Sequence, residues 1–421
     1  MTTTSTPLVA PPAAGQTRRG LPRWIVAAGI VAVGIGVLTL TTTLTGQVQL
    51  TSRGTTQAAV LLLLPILLAG LGGLWSERSG IINIGLEGMM ILGTWGAAWA
   101  GYQWGPWAAV IGGTIFGALG GLLHAIATVT FNVNHIVSGV AITLLGMGVT
   151  KYLSTLLFFP VSHNPRQSPH VEGFQTFSVQ PLADWLAQLE SQQRVLLSDI
   201  AGILGGLVSG LTPLVIVAFA LVPISYFVLW RTRFGLRLRS CGENPVAAES
   251  LGVNVFRYKY AAVIISGGLA GLGGAALTLN PGQLGYLEGQ TGGRGYIGLA
   301  AMIFGNWRPG GLLAGSALFG YVDGVQLRAG GEAVHALLYG TSILALIIAV
   351  LWVARRRWMP ALFALGAGAV VYGVYMVIPE VPREFASYAP QLVTLLVLAV
   401  ASQRLRPPAA IGVEYRRGEG D

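Results

Sequence analysis

The sequence has little charge and almost no thiol chemistry. Of 421 residues only 10% are Asp, Glu, Lys or Arg, against 53% hydrophobic. A soluble globular surface needs more charge than that. The single cysteine, Cys241, excludes an internal disulfide. No cluster of metal ligands stands out, and His124 and His135 have the spacing of packed or interfacial histidines. No GxxxxGK[ST] phosphate loop occurs, so the chain does not bind ATP by that route. Neither a Ser–His–Asp or Cys–His arrangement, an Arg-rich voltage-sensor span nor a TVGYG filter string is present. Catalysis by this polypeptide is not expected.

What remains is apolar and rich in glycine, with 60 Gly and uncharged runs such as Ala58–Trp75 and Leu338–Val353. Crossing a bilayer as a helix takes roughly 20 such residues. The expected class is all-α: a polytopic membrane protein of about twelve helical segments. They fall near 24–45, 57–75, 81–100, 107–131, 135–159, 205–230, 260–280, 295–307, 312–327, 337–353, 359–378 and 390–402. The first is read as a retained span, being longer than a signal-peptide core and lacking a clear cleavage site. The net charge of +9 comes mostly from Arg and Lys beside apolar segments. It reads as the positive-inside rule and puts both termini in the cytoplasm, rather than as a nucleic-acid surface. The expected organisation is a disordered N-terminus (1–23), an extra first span with an external loop (24–56), a core (57–357), a further helical pair (358–403) and a cytoplasmic tail (404–421). Within the core, 160–199 is an external segment holding an amphipathic helix, and 231–259 is a cytoplasmic loop.

That loop, RTRFGLRLRSCGENPVAAESLGVNVFRYK, is a basic island between apolar segments. Its punctuation describes one short helix: Asn244 as cap, Pro245 at the first position, Gly252 to end it in a left-handed turn. Such a helix offers a handle to a partner, or lies on lipid headgroups.

Two strings recur in order. LAGLGG stands at Leu68–Gly73 and Leu269–Gly274; IGLxxM stands at Ile84–Met89 and Ile297–Met302, each followed by a tryptophan, Trp95 or Trp307. By the topology above the copies run in opposite directions, an inverted repeat with short or re-entrant half helices. In transporters of that kind the substrate site lies at the repeat interface near mid-membrane. Ordinary small-residue packing explains the glycines but not the order of the strings.

Glu87, with Asn83 one helical turn before it, is the most expensive residue in the apolar part. It either lines a pathway or ties its segment to a neighbour, including by capping a re-entrant helix. Asn280 and Gln283, with Tyr286 and Glu288, form the polar end of a Gly-rich connection. Asn306 and Trp307 follow the second IGLxxM copy. These six, Asn83, Glu87, Asn280, Gln283, Asn306 and Trp307, are the candidate substrate-pathway residues. Asp323 and Gln326 share a helical face and line the path or sit at an interface. Asn132 and Asn134 read as turn residues.

SERSGIINIGLEGMMILGTWGA, GLRLRSCGENPVAAESLGVNVFRYKYAAVIISGGLAGLGGA and GYIGLAAMIFGNWRPGG together resemble ABC importer permease subunits. The branch is the one serving branched-chain amino acids, simple sugars and nucleosides, and the nucleoside and sugar-like permeases look most similar. The likeness covers roughly 58–353. It implies that Glu243, Asn244, Pro245, Ala248, Glu249, Ser250 and Gly252 form a coupling helix facing the ATPase. It further implies an ABC ATPase subunit or tandem ATPase, a second, related but non-identical permease and an external substrate-binding lipoprotein. Residence would be in the bilayer of a bacterial cytoplasmic membrane, with no nucleic acid bound. No cofactor is expected on this chain, since ATP is used by the partner subunits. The expected function is nucleoside uptake, with a ribose-like sugar as alternative. From another class, an ion-coupled secondary transporter would use Glu87 as its ion site but leave the capped loop helix unexplained. The extra first span, the long external segment and the last helical pair depart from the family pattern.

Overall fold

The computed structural model describes residues 23–378, 381–382 and 405–416. The expectations for 1–22, for the last span at 390–402 and for 417–421 lie outside the described residues. The elements run α1 (Arg23–Thr45), α2 (Arg53–Arg78), α3 (Leu86–Trp104), α4 (Pro106–Ala125), α5 (His135–Leu153), α6 (Phe159–Ser162), α7 (Gln180–Ser191) and α8 (Leu197–Val208). They continue with α9 (Pro213–Arg231), α10 (Arg233–Glu243), α11 (Pro245–Ser250), α12 (Val255–Thr278), α13 (Arg294–Phe304), α14 (Pro309–Ala354) and α15 (Trp358–Val377). A two-residue antiparallel ladder, β1 (Leu279–Asn280) with β2 (Gln283–Leu284), interrupts the helices. Helices α4 and α5 each continue through a π-helical turn, Ile126–Thr130 and Ser154–Phe158. Among the described residues seven helices are long and apolar enough to cross a membrane: α2, α4, α5, α9, α12, α14 and α15. The chain is an all-α, multi-pass membrane protein.

The core forms around α2. Its leucine run has no polar face, so every side of it must be covered. Ile66, Leu67, Leu68, Leu71 and Leu74 are fully buried. The most apolar stretch of α2 is 94% buried and that of α15 only 11%, which separates centre from periphery. Helix α12 crosses α2 antiparallel. A Cβ placed on Gly273 would meet the Pro65 carbonyl at 3.0 Å, and one on Gly72 the Ser266 carbonyl at 2.5 Å. Helix α4 lies on α12 almost backbone to backbone: an added Cβ on Gly117 would stand 2.5 Å from Gly271 Cα, and one on Gly121 2.5 Å from the Val263 carbonyl. Only small residues permit such an approach.

The 46 residues of α14 would extend about 69 Å if straight, more than twice the apolar thickness of a bilayer. The helix breaks at Gly330 (φ 69°, ψ −159°), a conformation essentially reserved for glycine. Before the break Gly320 abuts Leu63 and Gly324 abuts Ala59, so this half runs antiparallel to α2. After it Glu332 accepts from Gln47 and Gly340 abuts Thr41. Residue numbers fall from Gln47 to Thr41 as they rise along α14, so this half runs antiparallel to α1.

Several expected boundaries are corrected. The third helix begins at Leu86, not residue 81, because Gly80 (φ 92°) turns 79–85 into an extended connection. The span expected over 205–230 is two helices, α8 and α9. Gly210 (φ 61°) and Pro213 interrupt an otherwise continuous apolar run. The basic loop carries two helices rather than one. Thr232 accepts from the Gly235 N–H to start α10, which buries Leu238 and Cys241 beneath an arginine-rich outer face.

Candidate functional site

Two polar regions stand out. The first lies inside the helix bundle. The extended 79–85 connection is braced by two histidines: His124 bridges Ser138 Oγ (2.8 Å) and the Ile82 carbonyl (3.0 Å), and His135 Nδ1 accepts from the Ile82 N–H (3.3 Å). Asn83 is fully buried at its end and donates to Ser266 Oγ at 2.9 Å; its Oδ1 has no hydrogen-bond partner. Glu87 opens α3 and is 5% exposed. Its Oε1 accepts from the Gly293 N–H (2.9 Å) and its Oε2 from the Gly295 N–H (2.7 Å). Gly293 caps α13, so one carboxylate serves the first turns of two helices, where negative charge is favoured. A Cβ on Gly298, one turn along α13, would meet the Ile66 carbonyl at 2.7 Å. The carboxylate therefore sits beside the middle of α2. Next to it Arg294 pairs with Asp323 at 3.1 Å, with side-chain exposures of 21% and 9%. Arg294 Nε is buried without a partner.

The other expected pathway residues lie elsewhere. Asn280 closes the β1–β2 turn by accepting from the Gly282 N–H (3.1 Å), and Gln283 is exposed on β2. Asn306 and Trp307, both with φ 52°, form the α13–α14 turn at the opposite end of α13 from Glu87. The six candidates thus occupy three places as three separate pairs, and of these only Asn83 and Glu87 lie in the buried polar cluster.

The second region is the face carrying α10 and α11. Asn244 caps α11 through its side chain (Ala247 N–H, 2.9 Å), and Gly252 ends it at φ 80° with open space around it. Pro245 and Ala248 turn inward; Glu243, Asn244, Ser250 and Gly252 are exposed, and Glu249 is half-buried. Leu251 at the tip is 84% exposed. Under α11, Cys241 is buried, and burial pushes its thiol up to about 11. Arg78 at the end of α2 gathers this face. It donates to the Trp307 carbonyl (2.7 and 3.2 Å), lies 5.3 Å over the Trp230 ring and stands 4.0 Å from Glu243. Trp307 Nε1 donates to Glu77 at 2.6 Å.

Sequence reasoning missed the Arg294–Asp323 pairing, the Arg78 hub and the contacts of residues 405–416. An arginine within a Gly-rich connection, in a chain only 10% charged, was the available signal for the first.

Comparison with known proteins bears on the chain as a whole. Residues 55–351 match the family model described as the permease component of the branched-chain amino acid transport system. The chain is 30% identical over 362 residues to the guanosine ABC transporter permease protein NupQ of Bacillus subtilis, covering 84% of this chain and 94% of that one. It is 33% identical to the nucleoside ABC transporter permease protein NupC of Lactococcus lactis, covering 83% and 93%. It is 36% identical over 285 residues to the putative glucose ABC transporter permease protein TsgC13 of Haloferax volcanii, covering 66% and 76%. No solved structure matches. This similarity removes the ion-coupled secondary transporter from consideration. A bilayer-crossing bundle, a capped helix on a basic face and a family match over most of its length agree: the chain belongs to the branched-chain amino acid-type permease component family, and is a membrane transport subunit rather than an enzyme.

Proposed function

We propose that this chain is the nucleoside-conducting permease of an ATP-driven importer, with α11 seated in a partner ATPase. The observation that carries the coupling role is α11 itself. It is a capped helix on a basic face, with Leu251 and Val246 exposed at its tip and Pro245 and Ala248 anchoring it from beneath. An exposed apolar tip on an otherwise charged face suits insertion into a protein groove better than contact with water. Glu243, Asn244, Pro245, Ala248, Glu249, Ser250 and Gly252 make up that segment. The similarity to guanosine and nucleoside permeases over more than four-fifths of the chain supports nucleosides as cargo.

The path runs past the buried polar cluster in this reading. The antiparallel crossing of α2 and α12 at the two LAGLGG strings supports an inverted repeat. The eleven-residue α13, starting at Glu87 beside the middle of α2, supports a half helix aimed at the pathway. Asn83 and the Arg294–Asp323 pair offer hydrogen bonds to a sugar hydroxyl or base, and Asn280 and Gln283 meet substrate delivered at the β1–β2 end. Asn306 and Trp307 lie at the α11 end, where they relay motion rather than contact cargo. Both termini lie in the cytoplasm, on the side of α10 and α11. A second permease chain, two ATPase domains and an external binding lipoprotein complete the machine. The similarity to the glucose-type permease keeps a simple sugar as the second reading.

The test is uptake of labelled nucleosides and of ribose by cells with and without this chain, with Glu243→Arg as the uncoupling control. Loss of nucleoside uptake in both the deletion and the substitution supports the proposal. Loss of ribose uptake alone changes the cargo and keeps the machine. Uptake that survives Glu243→Arg refutes the assignment of this face to the ATPase.

A further inference from the structure

Residues 405–416 return to the α10–α11 face and bind it mainly through backbone. Arg406 N–H donates to Asn306 Oδ1 (2.8 Å), on the α13–α14 turn. Ala409 N–H donates to Glu243 Oε2 (3.1 Å) and Ala410 N–H to the Gly242 carbonyl (2.9 Å), both at the end of α10. Gly412 N–H donates to the Gly80 carbonyl (2.9 Å), in the α2–α3 connection, from a left-handed conformation (φ 74°). Tyr415, 5% exposed, closes the strap: its ring lies 5.8 Å from Phe256 and 5.3 Å from Lys259 Nζ, in a cluster with Cys241, Ala248 and Val255. Pro407 and Pro408 limit the freedom this strap surrenders on docking.

Without these bonds the links between α10 and the α2–α3 connection are few. The Arg78–Glu243 pair is long, with its glutamate 55% exposed, and such pairs contribute little. Gly242 also abuts the Arg78–Gly80 backbone. The strap bonds to both sides of that contact through residues two apart, Ala410 and Gly412. Three residues beyond Gly80 lies Asn83, and seven beyond it Glu87, whose carboxylate holds the start of α13. Tyr415 meanwhile packs in the same cluster as Ala248, on the inward face of α11.

We propose that residues 405–416 are a positioning strap. It fastens the coupling helices α10 and α11 to the α2–α3 connection, so that displacement of α11 reaches the buried polar cluster instead of being lost at the surface. This rests on the ATP-driven reading above. The strap touches neither cargo nor nucleotide; it acts through Gly242, Glu243 and Gly80.

The experiment uses the full chain in its complete transporter, with ATPase and binding protein, in liposomes. Assembly, ATP hydrolysis and uptake of labelled guanosine and ribose are measured together. Gly412→Pro removes one strap bond and its backbone conformation, Tyr415→Ala removes the buried ring, and Tyr415→Phe keeps it. Ala409→Pro deletes a single bond at the exposed edge and keeps the test open if the others do not assemble. The expected result is assembled complexes that hydrolyse ATP while uptake per ATP falls about tenfold, with Tyr415→Phe restoring the ratio. An unchanged ratio overturns the proposal, whether both rates persist or fall together, since a merely structural strap lowers both in proportion. Absence of ATP-driven uptake of guanosine and ribose by the unsubstituted complex removes the functional reading itself, and the strap's role with it.

Discussion

Replacing Glu87 separates its two readings, pathway residue and helix tie. Both of its oxygens accept backbone N–H groups, at 2.9 and 2.7 Å, from a segment more than 200 residues away in sequence. Glu87→Ala leaves the Gly293 and Gly295 N–H groups unsatisfied inside the bundle. An orphaned buried donor costs about 1–3 kcal/mol, and a bond to a charged acceptor sits at the upper end of that range. Two such losses come to about 4–6 kcal/mol. Glu87→Gln keeps one acceptor oxygen but turns an NH₂ toward the other donor, so its expected cost is about half as large. In detergent, the unfolding midpoint of Glu87→Ala is expected to fall on the order of 5–10 °C, with Glu87→Gln between it and the parent. Uptake by Glu87→Gln at a temperature where it is folded then reports on the pathway alone. A Glu87→Ala protein as stable as the parent would refute the tie. A stable Glu87→Gln protein with parental uptake would refute direct contact with cargo.

Further expectations follow from the same structure. Gly117→Leu forces a side chain into the Gly271 backbone, 2.5 Å from an added Cβ, and is expected to abolish folded protein in size-exclusion profiles at a cost of about 3 kcal/mol or more. Gly148→Leu, with nothing within 4 Å, should fold normally. Arg294→Met alone strands Asp323 and is expected to cost about 3–5 kcal/mol, most of it recovered in Arg294→Met/Asp323→Leu; additive losses in thermal midpoints would contradict the pairing. Because burial raises the Cys241 thiol to about 11, its thiolate is scarce at neutral pH, and maleimide labelling of the folded protein should rise about tenfold per pH unit from 7 to 10. A rate that levels off below pH 9 would show an ordinary exposed thiol.

Features governed by neighbouring residues were legible in the sequence. The Leu run of α2 and the Asn244–Pro245–Gly252 punctuation of α11 follow from local chemistry and membrane thickness. Glu87 announced itself by the cost of its depth. Its partners did not, because they are backbone N–H groups and no side chain encodes them. Arg294 read as the edge of a connection until the fold brought Asp323 to it. Helix α10 was hidden by its arginines, which mask the buried Leu238 and Cys241. The 79–85 connection looked helical because it is apolar, although Gly80 and Gly85 bracket it. The contacts of residues 405–416 were invisible for the same reason as those of Glu87: the strap bonds mainly through its backbone, to elements 100 or more residues away.

The seam between α4 and α12 also constrains how such a molecule can move. Where Gly113, Gly117 and Gly121 meet Gly267 and Gly271, main chain rests on main chain and no rotamers remain to repack. Sliding along such a seam would drive peptide groups into one another, and opening it would expose a groove no side chain could refill. These two helices must travel as a single rigid body. The backbone leaves helical geometry instead at Gly80, at Gly330 and at the left-handed pair Asn306 and Trp307, and an opening and closing cycle is expected to bend at such positions rather than along the seam.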